Sequence, residues 1–92
     1  MIIGNFEKQP SEVLDYDIDC SEWLTPGDNI QSVSAAVDDA SLVVDSVVNN
    51  DPRVKIWLSG GSDGQSYKVT VGITTADGRH KEVEFMVQVR DA

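Results

Sequence analysis

Asp15, Asp17 and Asp19, spaced two residues apart, are the first side chains in this sequence whose type and spacing suggest chemistry. A calcium loop takes oxygen ligands at alternate positions, a glycine at the sixth and a bidentate glutamate at the twelfth. Counted from Asp15, those last two positions hold Cys20 and Pro26. On an extended strand, next-but-one side chains stand roughly 6.5–7 Å apart, too far to share an ion that wants oxygens at about 2.4 Å. The row reads better as the wet face of a strand. Asp38, Asp39 and Asp45 make no stronger case. His80 is the single histidine and Cys20 the single cysteine, too few for a zinc site, and any triad would rest on His80 alone. Cys20 has acidic neighbours, whereas an activated thiol wants basic ones. Gly60-Gly61-Ser62-Asp63-Gly64 lacks the Lys-Ser/Thr ending of a phosphate-cradling loop and precedes a strand. The expectation is a protein with no catalytic, metal-ligating or cofactor-binding residues, which is not an enzyme.

Large apolar side chains are the better candidates for function. Trp23 and Trp57 stand out because tryptophan is enriched where proteins grip one another. Trp57 shares the parity of Arg53 and Lys55. Either a bulge inverts that parity and buries the ring, or the ring waits on the surface for a partner. Met86 carries the same ambiguity. Ile2, Ile3 and Phe6 sit in a segment without alternation, where they could anchor an arm on a neighbouring subunit. These six residues form the expected contact set.

The elements that must carry them are strands. Leu14, Tyr16, Ile18 and Cys20 alternate with the three aspartates, so one side of that run faces a core. Thr25-Pro26-Gly27-Asp28 is a turn. Runs at 30–37, 42–48 and 53–58 read as further strands, with Asn49-Asn50-Asp51-Pro52 breaking the last two apart. Tyr67, Val69, Val71 and Ile73, then Val83, Phe85, Val87 and Val89, alternate cleanly on either side of Ala76-Asp77-Gly78. That is a β-hairpin with Gly78 in a left-handed conformation. Turn signals every 8–12 residues give six or seven short strands, an all-β antiparallel sandwich spanning residues 13–92 behind an irregular arm at 1–12.

Ninety-two residues suffice for one domain. A formal charge of −9 argues against nucleic-acid backbones as partners, and no apolar run is long enough to span a membrane. The charge is lopsided: residues 1–52 hold eleven acids against Lys8 alone, whereas residues 53–92 are nearly balanced. An acidic face or end could steer towards a basic partner. The N-terminus has no basic n-region and no long apolar stretch, so it is not expected to be a secretory signal, and a lone cysteine suits synthesis in a reducing cytoplasm.

Two local patterns narrow the fold and the role. Asp63, four residues before Tyr67 at the start of a strand, is similar to the tyrosine corner of immunoglobulin-type domains, in which the hydroxyl bonds back to nearby backbone. Beyond that corner, the order Phe6 to Pro10, Glu12 to Asp19, Glu22-Trp23-Leu24, Pro26-Gly27-Asp28, Val54 to Gly61, Gly64 to Val71 and Asp77-Gly78-Arg79 resembles a family of small tailed-phage virion proteins. These are fiber–tail adaptor, neck- or capsid-associated structural proteins. The most specific parts are Tyr16 to Leu24 and Trp57-Leu58-Ser59-Gly60-Gly61. The resemblance implies a virion component made in the host bacterial cytoplasm and present in multiple copies in a symmetric assembly. Its partners would be portal, neck, tail, fiber or capsid proteins, with neither nucleic acid nor membrane among them. The competing reading is an immunoglobulin-like adhesion or carbohydrate-contacting module of a bacterial or phage surface protein.

Overall fold

The computed structural model describes residues 2–91, and it describes Ile2 by its backbone alone. Seven strands follow one another: β1 (Ile2–Lys8), β2 (Leu14–Asp19), β3 (Ile30–Val37), β4 (Leu42–Asn50), β5 (Arg53–Gly60), β6 (Ser66–Thr75) and β7 (His80–Val89). They build two sheets, one ordered β1-β7-β6-β3 and the other β2-β5-β4. All pairings are antiparallel except β1 with β7, which is parallel. This is the all-β, immunoglobulin-like sandwich that the alternation calls for.

Alternation decides what is buried. Tyr67, Val69, Val71 and Ile73 on β6 are fully enclosed, as are Val54, Ile56 and Leu58 on β5. Across the hairpin, Tyr67 pairs with Val87, Val69 with Phe85 and Val71 with Val83, so each inward side chain meets another. Each such aliphatic or aromatic side chain contributes roughly 1.5–3 kcal/mol by leaving water. Gly78 takes φ +88°, and Thr75 and Arg79 close the turn through an N–H···O bond of 2.8 Å. Asp51-Pro52, with a cis peptide bond, is the two-residue turn between β4 and β5, which pair from Asn50↔Arg53 onwards.

The irregular arm expected at residues 1–12 is instead largely a strand. Ile2–Lys8 lies along β7, with Phe6 beside Val87 and Lys8 beside Val89. The inward parity is therefore held by Phe6, which stays 42% exposed at the margin, and by a lysine, and the register slips between Ile2 and Asn5. An inward lysine and a slipped register erase the apolar period by which a strand is recognised. Lys8 is 2% exposed, and its ammonium donates to the carbonyls of Gly60 (2.6 Å) and Gln9 (2.8 Å). Burial lowers its pKa, opposed by the charges of Glu12, Asp45 and Tyr67.

Candidate functional site

On the outer face of the three-stranded sheet, β5 runs down the middle and offers Arg53, Lys55 and Trp57 to solvent. Asp15 sits opposite Trp57, Asp17 opposite Lys55 and Asp19 opposite Arg53 on the β2 side. On the β4 side, Ser46 faces Trp57, Val48 faces Lys55 and Val43 faces Ser59. The ring of Trp57 is half-buried on this face, outside the core, as its parity indicates. A bulge does occur here, on β4 between Val44 and Ser46. It leaves the parity of β5 intact. Val43 and Val48 are 46% and 38% exposed, and Val13, one residue before β2, is 56% exposed. Val43 and Val48 thus stand at the β4 positions facing the next outward residues on either side of Trp57, with a row of carboxylates on β2.

That row is only partly neutralised. Lys55 lies 3.1 Å from Asp15 and 4.0 Å from Asp17, and Arg53 lies 4.0 Å from Asp19. Two cations serve three exposed carboxylates, and exposed pairs contribute less than about 1 kcal/mol each. The bond to Asp15, with the charges of Asp17 and Asp15, raises the pKa of Lys55. Hydrogen bonds from Ser21 hold Asp19 below its ordinary value.

A groove of about 430 Å³ opens beside this face, where the edge strands β1 and β2 of the two sheets part. Ile18, Cys20 and Val83 line it with Ile3 and Trp23, and Asp17, Asp19, Glu22 and Lys81 add charged groups to the lining. Trp23 packs on the core, with the Arg79 guanidinium 4.9 Å and the Lys81 ammonium 5.4 Å from its ring centroid. Further along, Phe6, Tyr16 and Phe85 form a ring cluster with centroids 5.0–5.7 Å apart, which bridges the sheets. The Tyr16 hydroxyl is buried with no hydrogen-bond partner among the described residues. Burial, with Glu12 and Asp15 nearby, raises its pKa. Cys20 is enclosed, and burial likewise raises its thiol.

Of the six expected contact residues, the groove brings Ile3 and Trp23 together, with Phe6 in the adjoining ring cluster. Trp57 stands apart on the outer face of its sheet. Met86 lies half-buried on the outer face of the other sheet, between Asn5 and Lys68. The Ile2 side chain lies outside the described residues. Tyr67 is wholly enclosed; its hydroxyl accepts the Ser62 amide at 2.8 Å and lies 2.6 Å from the Ser41 hydroxyl. The Asp63 carboxylate accepts the amide of Asp91 at 2.9 Å. Val13, Val43 and Val48 escaped sequence reasoning. The run Leu42-Val43-Val44 has no period, and the bulge after it shifts parity.

A family model described as Podophage GP4 fiber-tail adaptor protein gp77 matches residues 8–88. The chain belongs to this family. Its members are bacteriophage structural proteins, so the chain is a virion component. The match covers β2 to β6 and most of β7, and with them Trp23, Trp57 and the aspartate row; Ile3 and Phe6 precede it. No match to a curated protein was found.

Proposed function

We propose that this chain is a non-catalytic connector that joins tail and fiber components through protein–protein contacts on the outer face of its three-stranded sheet. The observation that carries this reading is the set of exposed apolar residues Val13, Val43 and Val48 together with Trp57. Scattered single hydrophobics need no explanation, but several on one sheet face together with a tryptophan and a row of charge support a contact surface. On this reading several copies act in a symmetric assembly, made in the host cytoplasm before being built into the particle. The test is Trp57→Asp combined with Val48→Asp in the phage. Both side chains face outward, so the isolated variant should keep its circular dichroism spectrum. Purified particles should lose the chain, or the fibers, by mass spectrometry. Particles with normal composition and infectivity would exclude this face.

A further inference from the structure

We propose that the free edge of β2 accepts an extended strand from another virion protein, one whose residues alternate between basic and apolar. The idea rests on the connector reading and names the chemistry of one partner.

Four strands end the two sheets, and three of them are blunted. Register slips interrupt β1 between Ile2 and Asn5, β3 between Ile30 and Ser32, and β4 between Val44 and Ser46. Irregularities of this kind protect an edge from pairing. The ladder of β2 with β5, in contrast, runs unbroken from Leu14↔Leu58 to Asp19↔Arg53. Among the described residues β2 pairs with nothing on its other side, and β1 has joined β7 in the opposite sheet. A flat open edge is a template for one more strand.

Charge decides which strand it admits. Two copies of β2 meeting antiparallel would set aspartate against aspartate on the outer face, which is unfavourable. A strand with Lys or Arg at that parity would meet Asp15, Asp17 and Asp19 with opposite charge. Those carboxylates outnumber the two cations already beside them. The other parity of the incoming strand points between the sheets, into the groove with Ile3 and Trp23 at its sides. That groove suits apolar side chains.

The experiment uses the isolated full chain at near-physiological salt and a synthetic peptide alternating Lys and Val, with a Glu–Val peptide as control. The Lys–Val peptide should slow amide hydrogen exchange within Leu14–Asp19 and shift the NMR signals of Ile3 and Trp23. The Glu–Val peptide should do neither. Asp15→Asn, Asp17→Asn and Asp19→Asn together should weaken binding roughly tenfold. Shifts without slowed exchange in β2, or shifts centred on Trp57, would overturn the proposal. So would a dimer by light scattering with β2 protected in the absence of peptide, since that would put a second copy on the edge. Particle incorporation of the Trp57 variant tests the connector and peptide binding tests the edge, so each can fail alone.

Discussion

The Tyr67 hydroxyl ties three parts of the chain together: its own strand, the Ser62 loop and Ser41 before β4. Tyr67→Phe would keep the ring packed but leave the Ser62 amide and the Ser41 hydroxyl without that partner. The expected loss is about 1–3 kcal/mol, read from the urea midpoint. Gly61 is held more tightly still. It has φ +97°, and a Cβ there would stand 2.6 Å from Cγ2 of Val89, whereas Gly27, at φ +85°, has open space around it. Gly27→Ala should therefore cost about 1–2 kcal/mol for its backbone alone, and Gly61→Ala about 1–3 kcal/mol beyond that. A pair of thermal melts would separate the two terms. The acid limb of stability belongs to Asp28, Asp19 and Asp39. Burial pushes Asp28 up, but the nearby Thr75 hydroxyl, the Asp77 and Asn29 amides that donate to its Oδ1 and the charge of Arg79 outweigh it, and the pKa falls below its ordinary 3.8. Ser21 and Ser41 lower Asp19 and Asp39 in the same direction. A depressed folded-state value means stability that is present above the ordinary value and lost as pH falls through the depressed one. Melting temperature should thus drop below about pH 4, and Asp28→Asn should flatten that drop.

Among the elements, β1 and the β6–β7 hairpin show what pattern can and cannot reveal. The hairpin is legible residue by residue because its inward positions are all apolar and its turn has the glycine it needs. β1 is not, because its place is set by Val87 and Val89, some eighty residues away, and its own inward positions include Lys8. The site divides in the same way. The parity of Trp57 leaves two placements open, outward or buried by a bulge, and only the intact β5 ladder decides between them. The exposed valines depend on the β4 bulge, and the groove joins segments around Ile3, Trp23 and Val83 that no local window connects. A consequence at this scale is that removing Met1–Lys8 should do more than free an arm. It strips the outer partner from β7, takes Phe6 from the ring cluster and uncovers Phe85. Loss of a cooperative melt by circular dichroism is the expected result, and a melt unchanged within a few degrees would contradict the parallel pairing.

At the scale of the molecule, nine excess negative charges sit on a body only 44 × 21 × 19 Å. Their mutual repulsion should be screened as salt rises, so the melting temperature at neutral pH should climb between about 10 mM and 300 mM sodium chloride. A fall over that range would mean that pairs such as Lys55–Asp15 outweigh the repulsion.

The parallel course of β1 beside β7 has a mechanical meaning for a part that joins other parts. β1 begins beside Glu84 and β7 ends beside Lys8, so a pull applied through Ile2 and Val89 drags the two strands past each other along their length. Every backbone bond between them then resists together in shear, where an antiparallel pair pulled from its open end would unzip one bond at a time. A tug between the two ends of the chain meets the whole ladder at once.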